Sequence, residues 1–316
     1  MSLSLDMSSV LIVGDGKSAA LCSHALINEG RGKFRLAGVV TPAEVTEFFS
    51  DEGRGRRGAP HRVVVAMDDR RGQLPLAELV SLRFSGVQIQ DVPSFLEDLS
   101  HKVPVSATRP SDLVFTDGFR FDRGRFIAKA AGEWILAVLM LPIGLPLIAL
   151  AGLAILLESG RPVFFRQRRV GKGGKVFELF KLRTMRQDAE AQGPRFAGRS
   201  DSRITKVGRV LRKTRLDELP QLFNVLRGEM ALIGPRPERP EFVVRYEELI
   251  PYFAYRHSVR PGVTGWAQIC YGYTDDDKGS LEKLSYDLFY IKRHSLWFDV
   301  KIALGTITTV FGFRGR

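Results

Sequence analysis

The stretch WILAVLMLPIGLPLIALAGLAILL, residues 134 to 157, contains no charged residue. Its 24 residues exceed the length of about 20 that a helix needs to cross a bilayer. A buried helix of a soluble domain is rarely this long and this apolar. The stretch therefore predicts a membrane-embedded helical segment at residues 134–157.

The flanks and the interior of this stretch argue against a simple span. Both ends are basic and favour the cytoplasmic side. Pro142 and Pro146 lie inside it on either side of Gly144, and each proline removes a backbone donor and favours a sharp bend. We expect a re-entrant helical hairpin that breaks at these prolines, enters one leaflet and returns. A kinked single span is the alternative. The basic flanking residues are Arg120, Arg123, Arg125, Lys129, Arg161, Arg166, Arg168, Arg169, Lys172 and Lys175.

Upstream, the pattern of the first third predicts an α/β domain. SSVLIVGDGKSAALCSHALINEG, from Ser8 to Gly30, is typical of a buried strand, a glycine turn and a helix. The apolar runs FRLAGVV, RVVVAM and VQIQDV follow at α/β spacing. We expect a Rossmann-like domain over residues 1–115 and a linker over residues 116–133.

The turn Gly14-Asp15-Gly16 is a weak nucleotide signal. A phosphate could bind at the helix N-terminus, but Ala19 replaces the third glycine of the dinucleotide pattern and no acidic residue ends the second strand. A structural or regulatory module is favoured over a dinucleotide site.

The polar stretches at residues 51–62 and 273–280 are predicted to be solvated loops, although the three aspartates of the second could bind a metal.

The composition indicates an anionic partner. Lys plus Arg number 47 against 35 Asp plus Glu, which gives a net charge of +12. Nucleic acid, phospholipid headgroups and phosphorylated substrates all fit this charge. Cys22 and Cys270 have no metal-ligand spacing, so a disulfide framework or a zinc site is not expected.

Downstream, the stretch KTRLDELPQLFNVLRGEMALIGPRPERPEF, from Lys213 to Phe242, is the strongest candidate for chemistry. Apolar residues at helical spacing predict a helix from about Glu218 to Arg227 that Gly228 ends. Asp217 then takes the N-cap position, where backbone N–H groups favour an ionised carboxylate.

An ordinary helix cap and a reaction centre both fit the Asp-Glu pair alone. The neighbouring cations favour the second, because phosphates must be screened before a carboxylate can attack them. These cations are Lys181, Arg183, Arg203, Arg209, Arg212, Lys213, Arg215 and Arg236.

The block from about Arg125 to Phe311 resembles the bacterial sugar transferases, the monotopic polyprenyl-phosphate phosphoglycosyl transferases. It looks closest to their exopolysaccharide subgroup associated with PEP-CTERM systems. The larger members carry spanning helices ahead of a Rossmann-like domain; a short natural form and a trimmed chain both fit this sequence. The motifs are ESGRPVFFRQRRVGKGGKVFELFKLRTM, DSRITKVGRVLRKTRLDELPQLFNVLRGEMALIGPRPERPEF, RPGVTGWAQI and YDLFYIKRHSLWFDVKI.

The resemblance implies a two-step exchange. Asp217 would attack the sugar-proximal phosphate of a UDP-sugar and release UMP, and polyprenyl (undecaprenyl) phosphate would then take the phosphosugar. Glu218 would bind Mg²⁺. Asp287 is a further site candidate, with a surface helix carboxylate as the alternative. The implied phosphate-binding residues are Lys181, Arg183, Arg212 and Arg236, and the implied nucleotide-binding residues are Pro235, Pro237, Arg260, Gly262 and Gly265.

The predicted architecture is thus an α/β Rossmann-like domain followed by a mostly helical monotopic membrane catalytic domain, whose cytosolic part covers residues 158–316. The expected partners are a UDP-sugar, undecaprenyl phosphate, the bilayer and a second copy in a homodimer, with no nucleic acid. The expected location is the cytoplasmic face of the bacterial inner membrane. A membrane-associated nucleotide-sensing regulator, or a basic nucleic-acid-binding protein, is the alternative function; it leaves the apolar stretch unexplained, and no nucleic-acid-binding motif supports it.

Overall fold

The computed structural model describes residues 7–30, 32–49, 60–69, 74–116, 118–119, 122–189, 201–272 and 277–311. Most of the two predicted polar loops lies outside these ranges, at residues 51–59 and 273–276. The chain divides into two compact units, Met1–Pro110 and Ser111–Arg316.

The first unit contains a four-stranded parallel sheet with the strand order β2-β1-β3-β4. This arrangement confirms the predicted α/β class and the four predicted strands. Its strands are β1 (Ser8–Val13), β2 (Phe34–Val40), β3 (Arg62–Val65) and β4 (Gln88–Asp91), and its helices are α1 (Lys17–Glu29), α2 (Val45–Phe48), α3 (Leu76–Phe84) and α4 (Val92–Ser100).

The apolar run of β1 is continuous because both faces of the sheet are covered. Val10 and Ile12 pack into a cluster with residues of α1 and α4. Leu11 and Val13 point the other way and pack with residues of α2 and α3. Successive side chains of a strand alternate between its faces, so the unit has helices on both sides of the sheet.

The glycine turn of the first unit is closed by a side chain of the protein. The Asp68 carboxylate accepts hydrogen bonds from the N–H groups of Lys17 at 2.9 Å and Ser18 at 3.1 Å. These are the first backbone donors of α1, the groups that a phosphate would need. Because a carboxylate already holds them, the contact favours the structural interpretation of this turn over the dinucleotide one.

The second unit is mostly helical, as expected. A short helix, α5 (Pro110–Phe115), lies at the division between the units. The strands of the second unit are β5 (Phe164–Val170), β6 (Val176–Leu182), β7 (Ala231–Ile233) and β8 (Gly262–Thr264). Its other helices are α6 (Arg123–Ser159), α7 (Lys206–Thr214), α8 (Gln221–Leu226), α9 (Pro240–Leu249), α10 (Trp266–Cys270), α11 (Asp277–Lys292) and α12 (Leu296–Phe311).

Helix α6 is a single helix of 37 residues that continues through Pro142 and Pro146. The prediction that the segment breaks into two helices was therefore wrong, whereas the sharp bend expected at these prolines stays a prediction. Proline already has a helical φ and removes one donor at a time, and the remaining turns keep the helix intact. The re-entrant path concerns the bilayer and stays a prediction.

One face of α6 packs on the second unit along nearly its whole length. At one end Lys129 contacts Asp299, in the middle Ala137 lies in a cluster with Leu222, and further on Ile148 and Ile155 pack with residues of β6 and α7. The other faces are open, since 28% of its most apolar window is buried. Within the described residues, α6 is the one helix whose length and composition would allow it to cross a membrane.

Candidate active site

Asp217 and Glu218 lie in a short 3-10 turn, Leu216–Glu218, between α7 and α8. The prediction that Asp217 caps a helix starting at Glu218 was wrong, because α8 starts at Gln221 and has Pro220 at its N-cap. The chain reverses at Arg215, whose φ is +60°. The following turn buries both acidic side chains, with exposures of 7% for Asp217 and 8% for Glu218.

Lys181 reaches the same place from the hairpin β5–β6. Helix α8 is fastened to this hairpin by Asn224, which is fully buried. The Asn224 side chain accepts a hydrogen bond from the Phe180 N–H at 3.1 Å and donates one to the Glu178 carbonyl at 2.7 Å. The neighbouring Lys181 Nζ then lies 3.2 Å from Glu218 Oε1.

Glu218 is surrounded by cations. Arg236 Nη2 donates to its Oε1 at 2.7 Å, Lys181 donates to the same oxygen, and Arg215 Nη1 lies 3.7 Å from Oε2. These contacts, with Arg236 contributing most, outweigh burial and hold the pKa of Glu218 well below its usual range. Glu218 is therefore an ionised carboxylate whose oxygens are already paired with cations.

Asp217 differs from its neighbour, since its carboxylate accepts no hydrogen bond from any described residue. Burial and then the charge of Glu218 raise the pKa of Asp217 to about 6, against the opposing effects of the nearby cations. Those cations include Arg212, whose buried Nη1 has no hydrogen-bond partner among the described residues. At neutral pH the site thus holds a mostly ionised carboxylate to which no residue of the described ranges donates a hydrogen bond.

The cations are perturbed as well. Burial, opposed chiefly by Glu218, lowers the pKa of Lys181 to about 8. Burial also lowers the pKa of Arg212, whereas the Glu218 contact raises that of Arg236 despite its burial. Buried cations with incomplete partners are suited to receive an anionic ligand.

The loop that carries Arg236 is fixed by two further arginines. Arg256 Nη2 donates to the Arg236 carbonyl at 2.9 Å, and Arg169 Nη1 donates to the Pro237 carbonyl at 2.9 Å. Arg256 is itself held by Asp287 at 2.7 Å. The guanidinium of Arg236 therefore projects from a loop whose backbone is held on successive residues.

Asp287 is 2% exposed, so the alternative of a surface carboxylate was wrong. It acts on the candidate site through Arg256. The sequence analysis missed Arg256 and Asn224, and treated Arg169 only as a flanking charge. The alternation of strand β5 could have indicated the role of Arg169, because it lies on the opposite face of the strand from the exposed Arg166 and Arg168.

The Arg183 side chain donates hydrogen bonds to backbone carbonyls near the end of α6. It is 6% exposed, and its Nη2 donates to the carbonyls of Ser159 at 2.9 Å and Gly160 at 2.7 Å. These carbonyls end helix α6, where a cation is favourable. Its buried Nε and Nη1 have no hydrogen-bond partner among the described residues, so a phosphate-binding role for Arg183 stays a prediction beside this structural one.

The predicted nucleotide-binding glycines allow two chain segments to approach closely. A Cβ on Gly262 would lie 2.1 Å from the Gly234 nitrogen, and one on Gly265 would lie 2.2 Å from the Gly234 oxygen. The Gly262 N–H also donates to the Pro235 carbonyl at 2.9 Å. These contacts place Gly262 and Gly265 behind the Arg236 loop as packing residues. The nucleotide-binding role predicted for Pro235, Pro237, Arg260, Gly262 and Gly265 stays a prediction.

The donors available for the predicted Mg²⁺ are carboxylates of the candidate site. No group of three or more His, Cys, Asp or Glu residues that could hold a metal occurs within the described ranges. Mg²⁺ is usually bound by one or two carboxylates together with substrate phosphates. Asp217 and Glu218 supply two carboxylates in one turn, so the residues fit an ion that arrives with a diphosphate.

Comparison with known proteins places the second unit in a family. The bacterial sugar transferase family matches residues 124–313. An Aeromonas hydrophila UDP-N-acetylgalactosamine-undecaprenyl-phosphate N-acetylgalactosaminephosphotransferase is 49% identical over 189 residues, which are 60% of this chain and 45% of that protein. An Escherichia coli UDP-glucose:undecaprenyl-phosphate glucose-1-phosphate transferase is 36% identical over an alignment of 317 positions, which covers 94% of this chain and 66% of that protein.

A third relative, the exopolysaccharide production protein PSS of Rhizobium leguminosarum, is 39% identical over 170 residues, which are 52% of this chain and 85% of that protein. The chain thus spans less than two thirds of the length of the first two relatives. The family match covers more than half of the chain and includes every candidate site residue of the second unit. The chain belongs to the bacterial sugar transferase family.

Proposed function

We propose that this protein transfers a sugar 1-phosphate from a UDP-sugar to undecaprenyl phosphate through a phosphosugar bonded to Asp217. The observation that carries the proposal is the pairing of two unlike carboxylates, one without a hydrogen-bond partner in the described part of the chain and one held by Arg236 and Lys181. The names of the relatives, which describe transfer of glucose or N-acetylgalactosamine phosphates to the same lipid, support it.

In the first step an oxygen of the Asp217 carboxylate forms a bond to the sugar-proximal phosphorus of the donor. The bond from this phosphorus to the oxygen that bridges the two phosphates breaks, and UMP leaves with the electron pair. Arg236 and Lys181 would lower the barrier by neutralising the phosphate oxygens, since an anion must otherwise approach another anion. The planar guanidinium of Arg236 can contact two oxygens at once.

In the second step an oxygen of the lipid phosphate attacks the same phosphorus. The bond between this phosphorus and Asp217 breaks, the carboxylate is regenerated, and the product is the lipid diphosphate sugar. One carboxylate thus serves both half-reactions. Glu218 would hold Mg²⁺ together with diphosphate oxygens, and the ion when bound would supply further positive charge.

The contacts of α6 support a monotopic placement at the cytoplasmic face of the inner membrane. A spanning helix leaves the domain behind as it crosses the bilayer, whereas α6 contacts its own unit from Lys129 to Ile155. Its remaining faces expose large apolar side chains, among them Trp134, Leu139 and Ile143. We propose that these faces meet lipid while both ends stay on one side, where a lipid phosphate can reach Asp217.

The sugar and the oligomeric state are further parts of the proposal. Glucose is the first donor to examine and N-acetylated sugars are the second, because the relatives differ in this respect. A homodimer stays a prediction. No contact within the described residues favours the regulatory or nucleic-acid-binding alternative, and the Asp68 contact at the glycine turn argues against a nucleotide sensor there.

The test is UMP release by detergent-solubilised protein given Mg²⁺, undecaprenyl phosphate and a panel of UDP-sugars. We expect release with at least one donor, loss of activity in Asp217→Asn, and loss of activity when EDTA removes the metal. Asp15→Asn, at an exposed position of the first unit, is the matched control and should behave as wild type. Wild-type turnover in Asp217→Asn would reject Asp217 as the nucleophile.

A further inference from the structure

The peptide groups of Ile233, at the end of β7, are held by side chains of two helices. On one edge β7 pairs with β8, opposite Thr264. On its other edge, the Ile233 N–H donates to Glu133 Oε1 at 3.0 Å, and its carbonyl accepts from the Tyr290 hydroxyl at 3.1 Å. Arg236 follows three residues later in the chain.

Glu133 and Tyr290 belong to one buried polar network. Lys129 Nζ donates to Glu133 Oε1 at 2.6 Å and to Asp299 Oδ2 at 2.9 Å. The Tyr290 hydroxyl also lies 2.9 Å from Asp299 Oδ1, so its single proton is shared between this carboxylate and the Ile233 carbonyl. The network joins α6, α11 and α12 to the strand that leads into the Arg236 loop.

Burial makes this arrangement costly. The side chains of Lys129, Glu133 and Asp299 are 8%, 11% and 10% exposed as ion-pair partners. Buried ion pairs often stabilise a fold no more than apolar residues of the same volume would, because the charges lose their hydration. Stabilisation of the fold is therefore a weak explanation for buried ions at this place. A more specific explanation is that the Glu133 carboxylate provides a fixed acceptor for the Ile233 N–H at the edge of the strand.

The consequence for the site is positional. Arg236 contacts Glu218 through a hydrogen bond from Nη2, so the position of its guanidinium depends on where its backbone lies. Arg256 and Arg169 hold the carbonyls of Arg236 and of the residue that follows it. On the N-terminal side of Arg236, Glu133 and Tyr290 hold the end of β7. Freeing the Ile233 peptide would let the start of the loop shift, and small displacements of a positioned group strongly reduce rates.

We propose that Glu133 and Tyr290 are positioning residues for Arg236. Through Glu133, the position of helix α6 on the second unit then determines where Arg236 can bind the substrate phosphates. This inference rests on the proposed function, since it assigns Arg236 to the donor phosphates. It adds a link between the helix that meets the membrane and the loop that meets the substrate.

The first test is a double-mutant cycle on the rate constant of UMP release in a single turnover. Tyr290→Phe removes only the hydroxyl, and we expect a loss of about tenfold, the size associated with one buried hydrogen bond. In an Arg236→Ala background the same change should cost nothing further, because a positioning residue acts through Arg236. Ser285→Ala, which removes another buried hydroxyl from α11, should leave the rate unchanged in both backgrounds.

Glu133 is tested by conservative rescue. Glu133→Gln keeps an oxygen that can accept the Ile233 N–H, and should retain the rate within about threefold, whereas Glu133→Met should lose about as much as Tyr290→Phe. A full loss in Glu133→Gln, a wild-type rate in Tyr290→Phe, or an undiminished Tyr290→Phe effect in the Arg236→Ala background would overturn the inference.

A second measurement does not require catalysis. Amide hydrogen exchange of the peptide covering residues 231–236 should accelerate about tenfold or more in Tyr290→Phe and Glu133→Met, and not in Ser285→Ala. Unchanged exchange in the first two variants would overturn the inference even if the enzyme is active. Faster exchange in a protein that releases no UMP would sustain the positional link while the proposed function fails.

Discussion

Arg236 Nη2 lies 2.7 Å from Glu218 Oε1, and this contact separates the behaviour of two adjacent carboxylates. With Lys181 on the same oxygen, Glu218 is ionised and engaged. Asp217, one residue earlier, is buried without a hydrogen bond from the described residues, and its pKa rises to about 6. The division of roles that the proposal needs, a nucleophile beside a charge-holding residue, therefore follows from the cations that contact Glu218 and from the burial of Asp217.

The pH dependence of the reaction should report Asp217. The ionised form is the nucleophile, so kcat/KM for the UDP-sugar should fall about tenfold per pH unit below an apparent pKa near 6. Arg212 lowers the pKa of Asp217, so Arg212→Gln should move this limb to higher pH, whereas Arg209→Gln on the exposed side of α7 should not. A profile that stays flat from pH 5 to 8 would contradict the assignment.

The same raised pKa should make Asp217 unfavourable for stability. Its ordinary value is 3.8 and its folded value is about 6, so folding favours the protonated form, and stability is lost as the pH rises through this window. Asp217→Asn should therefore raise the free energy of unfolding at pH 8 by up to about 3 kcal/mol, as a shift of roughly two units implies. Below about pH 4 the difference should vanish. Thermal unfolding at both pH values measures this, and an equal effect at both would contradict it.

The sequence predicted those parts of the fold that local pattern determines. The strands β1 to β4 followed from apolar runs at α/β spacing, and the long helix followed from its uncharged stretch. The break at the prolines did not occur, because Pro142 and Pro146 fit a helical φ and their helix packs along one face. That packing depends on residues far away in the chain, such as Asp299 and Leu211.

At the site, the motif identified Asp217 and Glu218 but not their geometry. The predicted cap became a 3-10 turn because Arg215 adopts a positive φ, which side-chain pattern does not encode for an arginine. The partners Arg256 and Asn224 were missed because each acts on backbone groups distant in sequence. The nucleotide role of the glycines of PGVTGW stays a prediction, whereas their close approach to Gly234 could not be predicted because it joins segments distant in sequence.

Arg183 separates a structural from a phosphate-binding role. Because it holds the carbonyls that end α6, Arg183→Met should destabilise the protein by about 2–4 kcal/mol, the cost of leaving such buried groups unpaired. The neighbouring exposed Arg186 offers the control Arg186→Met, which should have little effect. A variant with unchanged thermal unfolding but lost UMP release would instead assign Arg183 to the substrate.

The membrane placement predicts the labelling of cysteines on either side of the apolar stretch of α6. In a background with Cys22 and Cys270 replaced, single cysteines at the exposed positions of Arg123 and Arg168 should both react with a membrane-impermeant reagent in inverted vesicles. Both ends are basic and the helix stays on its own unit. Labelling at one end alone would show that the segment spans the bilayer.

The covalent intermediate is the central claim and can be measured directly. The protein is incubated with a UDP-sugar and Mg²⁺ without lipid acceptor, quenched in acid, digested and analysed by mass spectrometry. We predict that the peptide containing Asp217 gains the mass of one phosphosugar, and that Asp217→Asn protein shows no such gain. UMP release without any adduct at Asp217, or with an adduct on another residue, would contradict the account.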